Sequence, residues 1–526
     1  MKNNIILHQK LAVSCDIEYE NIKDLFLTQT KKNPNKIFLI THGEQKEQFT
    51  YLEFRNIVFK TINFMLKNNL KKNDIISLIF HNSSEFLILY FAGLFCGLTI
   101  VPINPDMSSR EIEYIIQNSN SKIIFYNHTL ESKINSVQKN LFQKKFLKIH
   151  KIDQLTSTFN HEIKFDFENI DLLDDAVIIY TSGTTGNPKG VILSHLNLLS
   201  DAMSISKWFQ FNEKTRCLCI LPLFHNNGQI TTLLAPLYSG GSTVIVKGKV
   251  SLFAFWFLVN EYGITWTSVM SSILSILLSF SEERKDNSLL GILCGGQILT
   301  QSIQEKFENR FNVPIFEGYG LTETTSFSCI NGYPSNKRKI GSIGKPLLSN
   351  EMIILNENGQ QSPDNQEGEI CIRGYNVAIG YLGNELMNNA FRDGWFHSGD
   401  YGRRDKDGNY YFHGRQDSLI IKGGENIYPR EIENILFKHS LIDECAVIGI
   451  PDKLLGENIC AFIKVQSGAK ITEKDLKIFC RDKLADFKQP KKIIIINELK
   501  DLTEIPKGPT KKILYRKLKD YFKNYY

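Results

Sequence analysis

Short apolar runs of strand length alternate along the chain with longer stretches in which apolar residues recur every three or four positions. Residues 75–80, 122–126, 176–180, 242–246 and 292–294 predict buried strands, and residues 52–69 and 109–118 predict helices between them. Strand runs without polar alternation are buried on both faces, so the pattern predicts an α/β fold with mostly parallel sheets. The longest uncharged run, residues 86–103, contains Gly93, Gly97 and Pro102, and predicts a buried helix followed by a buried strand rather than a membrane span. Aspartates and a glycine at 405–408 predict a hairpin turn. A domain boundary is expected near residues 414–418, after which new strand and helix patterns begin (446–450, 461–465, 473–484).

Length and composition sharpen this outline. A chain of 526 residues, 42% apolar and 22% charged, is long enough for two to four domains and excludes a disordered, collagen-like or small disulfide-built protein. The net charge is +6, and residues 417–526 carry most of it, with 21 Lys and Arg against 16 Asp and Glu. That excess is too thin for a nucleic-acid binder and suits a modest site for an anionic small molecule. The ten cysteines include no C-x-x-C, and Cys217 and Cys219 read as buried strand residues of a reducing compartment. Residues 1–16 lack an apolar core of signal-peptide length, so a cytoplasmic protein without a transmembrane segment is expected.

Residues 180–190, Tyr-Thr-Ser-Gly-Thr-Thr-Gly-Asn-Pro-Lys-Gly, follow a predicted strand. Three glycines, three threonines and a serine make a flexible loop rich in hydrogen-bond donors that ends in Lys189. Backbone amides, hydroxyls and an ammonium are what polyphosphate oxygens need, although the spacing is not that of a Walker A loop. Residues 316–324, Phe-Glu-Gly-Tyr-Gly-Leu-Thr-Glu-Thr, place Gly318 and Gly320 around Tyr319, so a flat ligand can approach the ring. There Thr322 offers a hydroxyl and Glu323 a hard oxygen for Mg²⁺ near phosphates; the bland alternative is a strand–turn–helix junction with a surface carboxylate. Asp400, after a glycine, can accept both hydroxyls of a ribose, and Arg415 can donate to the same sugar; an ordinary surface ion pair is the alternative. Gly423 and Gly424 allow a loop to approach a narrow ligand, and Pro429 opens a helix carrying Glu431 and Glu433. Residues 505–513 form a Pro/Gly loop that presents lysines.

In this order, over about residues 21–519, these segments resemble the adenylate-forming superfamily of acyl-CoA synthetases, luciferases and peptide-synthetase adenylation domains. The resemblance implies a large N-terminal domain, 1–415, of α/β subdomains plus a distorted β-barrel. It implies a small mobile α+β C-terminal cap, 416–526, hinged at Asp417. It also implies a two-step reaction: a carboxylate and MgATP give an acyl-adenylate and pyrophosphate, then a thiol takes the acyl group and AMP leaves.

Carried over residue by residue, the resemblance makes Lys512 the bridge between attacking carboxylate and α-phosphate, and Glu323, next to Thr322, the Mg²⁺ ligand. Thr181, Ser182, Gly183, Thr184, Thr185, Gly186 and Lys189 would grip the β- and γ-phosphates. Tyr319, between Gly318 and Gly320, would stack on adenine, Asp400 and Arg415 would hold the ribose, and Gly424 would line a pantetheine tunnel. One position departs from the family pattern: Lys511 stands where the family usually has glycine, which leaves open Lys511 as the active amine or a non-catalytic nucleotide-binding relative.

Amino-acid-activating members usually carry an Asp in the segment matching residues 221–228, Leu-Pro-Leu-Phe-His-Asn-Asn-Gly, whereas this chain has Phe224-His225, as in acyl- and aryl-CoA synthetases. His225 would then sit beside the carboxylate and gate the thiol. Asn226 and Asn227 would hydrogen-bond a polar acyl group or cap the following helix. The expected cofactors are ATP, Mg²⁺ and coenzyme A, with candidate 3′-phosphate contacts at Lys438, Lys488, Lys491 and Lys492. The alternative thiol is a free-standing acyl carrier protein.

Overall fold

The fold is that of a computed structural model, which describes residues 16–507 and 513–525 apart from 45, 142, 150–168, 182–187, 249–251, 280–287, 298, 384–388, 424 and 482. Two mixed sheets form the centre of the large N-terminal domain. In one, the strands Ile315–Tyr319, Gly291–Cys294, Trp266–Val269, Arg216–Cys219, Ser242–Val246 and Ile37–His42 run parallel in that order. In the other, Thr99–Ile103, Ile75–Ile79, Ile123–Asn127 and Lys145–Ile149 are parallel, and Asp175–Thr181 continues the sheet beside Thr99–Ile103. The antiparallel partner of Asp175–Thr181 is Lys189–Ser194, which also pairs with Gly380–Tyr381. These central strands are buried on both faces, as their unbroken apolar runs require.

Helix starts follow local chemistry. Tyr51–Lys67 opens with a capping box between Thr50 and Glu53, and Ser109–Asn118 with one between Ser108 and Glu111. The helix Ser84–Phe95 is buried at every position, so its all-round hydrophobicity marks a core helix; no helix of the described residues is long and apolar enough to cross a membrane. Its rings pack with Phe26, Phe38, Tyr51 and Phe54 in an aromatic cluster between the helices and the first sheet.

A third, wholly antiparallel sheet of Asn350–Leu355, Glu367–Gly374, Trp395–Arg404, Phe391–Arg392 and Tyr410–Arg415 forms a half-barrel, and 405–408 is the expected turn between its last two long strands. The C-terminal domain has its own sheet, Glu425–Ile427, Ile420–Lys422, Gly456–Val465 and Ile442–Asp452, with Lys492–Ile495 parallel to Gly456–Val465. Helices Pro429–Leu436 and Glu473–Arg481 close one face over an apolar core, and Tyr515–Tyr525 closes the other. Pro429 is the first residue of its helix, where a missing N–H costs nothing.

Candidate active site

Contacts between strand ends link several of the sequence-predicted residues. Thr181 and Lys189 are directly opposed in the hairpin Asp175–Thr181/Lys189–Ser194, so the two ends of the Gly/Thr-rich segment are clamped by the strand pairing. Ser182, Gly183, Thr184, Thr185 and Gly186 lie outside the described residues, as do Gly424 and Lys512.

Tyr319 closes the strand Ile315–Tyr319, and its hydroxyl donates to Asp400 Oδ2 at 2.7 Å. Asp400 is buried on Trp395–Arg404, where its backbone N–H donates to Ser398 Oγ at 3.0 Å. Asp400 and Arg415 are register partners, and Arg415 Nε lies 3.5 Å from Asp400 Oδ1. The sequence-predicted adenosine residues Tyr319, Asp400 and Arg415 are therefore one connected group. The opposite neighbour of Tyr319 is Phe412, stacked at 5.9 Å between centroids.

The glycines around Tyr319 have steric reasons. A Cβ on Gly320 would lie 1.8 Å from the carbonyl oxygen of Ser326, and one on Gly318 would lie 2.6 Å from the Phe327 ring. Downstream, Thr322–Thr324 forms a short turn fastened to the segment 376–378. The N–H of Ala378 donates to Glu323 O at 2.8 Å, Thr325 Oγ1 donates to Asn376 O, and Asn376 Nδ2 donates to Thr324 O and Phe327 O. The Glu323 carboxylate points at Tyr381, whose hydroxyl donates to Oε1 at 2.7 Å. Lys189 Nζ lies over the same tyrosine ring, 5.9 Å from its centroid. A carboxylate held through one oxygen is a donor set that fits Mg²⁺, a hard cation that takes few protein oxygens and several from phosphate and water.

His225 and Phe224 are half-buried with rings 4.8 Å apart. His225 is the N-cap residue of the short helix Asn226–Gln229 and makes no side-chain cap bond. This corrects the capping role considered for the asparagines. The Asn226 Oδ1 atom accepts from the N–H of Asn227, and its Nδ2 donates to the carbonyl of Thr325, so the residue ties this segment to the Glu323 turn. Asn227 Oδ1 is buried without a hydrogen-bond partner among the described residues.

One residue from the C-terminal domain, Arg430, reaches this region. Arg430 stands 3.9 Å from Glu317, two residues before Tyr319, with its guanidinium 5.1 Å from the centre of the Phe412 ring. Burial pushes the Glu317 carboxyl up to about 7 against the opposing pull of Arg430. Glu433, on the same helix as Arg430, is also raised to about 7 by burial while it accepts from the Val447 N–H and the Tyr515 hydroxyl. Of the lysines considered for CoA, Lys488 is paired with Glu431 and Lys491 with Asp452. Elsewhere in the half-barrel, Glu369, Cys371 and His397 bring three donor atoms within 4.8 Å, but Arg392 Nη2 lies 2.9 Å from His397 Nδ1 and supplies the positive charge there.

Sequence reasoning did not single out Tyr381, Phe412, Arg430 or Asn376. Gly380-Tyr381 reads as part of an ordinary apolar stretch, and only the pairing with Lys189–Ser194 brings it to Glu323. Arg430 directly follows Pro429 at the buried start of its helix, and nothing in the local sequence points to its distant partner Glu317.

A Gly/Thr-rich hairpin, an aromatic–carboxylate–guanidinium group and a fastened glutamate thus stand near a contact with the second domain. The chain belongs to the AMP-binding enzyme family, whose model matches residues 26–382, and the AMP-binding enzyme C-terminal domain matches residues 431–505. It is 31% identical over 528 residues to an oxalate–CoA ligase of Arabidopsis thaliana, covering 96% of this chain and 99% of the relative. It is 32% identical over 450 residues to a sulfoacetate–CoA ligase of Cupriavidus necator, covering 84% and 86%. The o-succinylbenzoate CoA synthetase of Bacillus subtilis, solved with its acyl-adenylate intermediate, superimposes with a TM-score of 0.84 at 28% identity, covering 94% of this chain and 98% of that one. The same synthetase has been solved with ATP and a magnesium ion, with a TM-score of 0.83.

Proposed function

We propose that this enzyme, an ATP-dependent carboxylic acid–CoA ligase that uses Mg²⁺, activates a short acid with a polar or anionic group at its far end. The observation that carries this is the wall around His225. Asn226 and Asn227 put amides there, Asn227 keeps an unsatisfied buried oxygen, and no Asp is present to receive an α-ammonium. Gly295 and Gly318 are backed by the Phe327 ring, 2.5 and 2.6 Å from where their Cβ atoms would be, so that ring already fills the space beside them, which favours a short acid over a long chain. Relatives named for oxalate and sulfoacetate, both short acids with a second anionic group, support the same class.

The chemistry follows from charge. A carboxylate attacking the α-phosphate brings two anions together, so the site must neutralise charge and align the attack. Tyr319 offers its ring face to adenine, and the Asp400 carboxylate accepts from the ribose hydroxyls while Arg415 holds Asp400. Lys189 closes the phosphate hairpin, and Glu323 with the Thr322 hydroxyl faces the phosphates. Glu323 would hold Mg²⁺, which supplies charge neutralisation on the phosphate oxygens when bound. Lys512 donates to the attacking carboxylate and the α-phosphate. His225 flanks the acyl carbon, and the Gly424 loop admits the pantetheine thiol. Residues 416–526 act as the cap that turns about Asp417 between the two steps. The nine free cysteines among the described residues, eight of them buried, support a reducing cytoplasm as the compartment.

The test is the acid preference of the purified protein. Oxalate, malonate, succinate and sulfoacetate, set against decanoate and benzoate, with MgATP and CoA, should give thioester from the short polar acids at least tenfold faster. Preference for decanoate or benzoate would overturn the proposed acid class. Adenylate that builds up with CoA and is consumed only by an acyl carrier protein would overturn CoA as the thiol.

A further inference from the structure

We propose that Tyr381 is a positioning residue that holds the Glu323 carboxylate in place for the metal–nucleotide complex and couples it to Lys189. The inference rests on the role given to Glu323 above and adds a residue to that site.

Three relationships carry it. First, the Tyr381 hydroxyl donates to Glu323 Oε1 at 2.7 Å. Glu323 sits on a short surface turn, and a glutamate there has three side-chain torsions to lose on binding a cation. The phenol fixes one oxygen before the ligand arrives, so the ordering cost is met in the fold.

Second, Tyr381 is itself held rigidly. Gly380 and Tyr381 pair with Ile192 and Val191, the N–H of Leu382 donates to Gly190 O at 2.8 Å, and the ring meets Phe391 edge-on at 5.6 Å. The strand it pairs with begins at Lys189, so the tyrosine is anchored to the strand that closes the phosphate loop.

Third, Lys189 Nζ stands over the tyrosine ring at 5.9 Å, within the range of a cation–π attraction. One side chain thus presents its hydroxyl to the anionic member of the site and its face to the cationic member. The backbone contact between Ala378 and Glu323 closes the same unit from the other side.

The variant Tyr381→Phe removes one oxygen and keeps the ring. Binding of Mn²⁺–ATP, followed by water proton relaxation on the intact enzyme, should weaken about tenfold, the size expected for losing one hydrogen bond to a charged group. The KM for MgATP in adenylate formation should rise with it. Release of thioester from supplied acyl-adenylate and CoA should stay within about twofold of wild type, because that step needs neither phosphate nor metal at Glu323. A merely structural tyrosine would slow both half-reactions together. Glu323→Gln serves as the reference, and Tyr381→Phe added to it should weaken Mn²⁺–ATP no further. Mn²⁺–ATP binding by Tyr381→Phe equal to wild type, alongside weakened binding by Glu323→Gln, would overturn the inference alone. Unchanged binding by Glu323→Gln would instead overturn the role of Glu323 on which it rests. Equal loss in both half-reactions, or full additivity of the two substitutions, would also contradict it.

Discussion

Tyr319 and Asp400 lie 81 residues apart in the chain, yet the phenol of one donates to the carboxylate of the other at 2.7 Å. The bond joins the last residue of a parallel strand in the first sheet to the middle of the half-barrel. It aims the carboxylate across the edge of the ring on which adenine is expected to stack, and Arg415 backs it at 3.5 Å.

Asp400→Ala should therefore damage ATP recognition through the ribose and release the Tyr319 hydroxyl at the same time. Loss of hydrogen bonds to a charged group costs about 1.5–3 kcal/mol. The expected result is a fall of about 10–100-fold in kcat/KM for ATP, mostly in KM, with Asp400→Asn retaining more than Asp400→Ala. Steady-state kinetics with varied ATP check this; an unchanged KM would remove Asp400 from the nucleotide site.

Lys512→Ala separates the two half-reactions. Removing one preorganised charge partner of the transition state costs about 10²–10³ in rate. Adenylate formation, followed by pyrophosphate exchange, should fall by that factor, and thioester formation from supplied adenylate should stay near wild type. Adenylation retained within about threefold would remove Lys512 from its role, and Lys511→Ala, measured in the same assay, would then identify the active amine.

Glu317 makes a pH prediction. Burial raises its folded value from 4.5 to about 7, so the native state holds a proton that the unfolded chain has released. The stability it contributes is complete below about pH 4.5 and is lost as pH rises to about 7. A shift of this size corresponds to roughly 3 kcal/mol. Thermal unfolding from pH 5 to 8 should show declining stability in the wild type and a flatter profile in Glu317→Gln, with Glu433 supplying the remaining slope. Identical slopes would show that Glu317 is ionised throughout.

Much of this architecture was legible in the chain because its signals are local. The strands around 75–79, 99–103 and 242–246 are continuous apolar runs, and the helix Ser109–Asn118 announces itself by its Ser108–Glu111 capping box. The candidate nucleotide motifs stand out in the chain because glycine, hydroxyl and charged residues cluster within a few positions of each other. Tyr381, Arg430 and Asn376 were not, because each gains its role from a contact with a residue far away in the chain. Tyr381 meets Glu323 across 58 residues and Arg430 meets Glu317 across a domain boundary, and neither sits in a locally unusual sequence. The Asn226 side chain shows the opposite failure. Local logic made it a helix cap, but the carbonyl of Thr325, 99 residues on, claims its amide.

The central claim is that this site joins a short polar acid to CoA through an acyl-adenylate. The most direct measurement is AMP release by the purified protein with MgATP and single acids, CoA present or absent, with products identified by mass spectrometry. A short polar acid should give AMP and an acyl-CoA in matched amounts, and adenylate alone when CoA is left out. ATP bound without AMP from any of these acids, or AMP with no thioester when CoA is present, would contradict it.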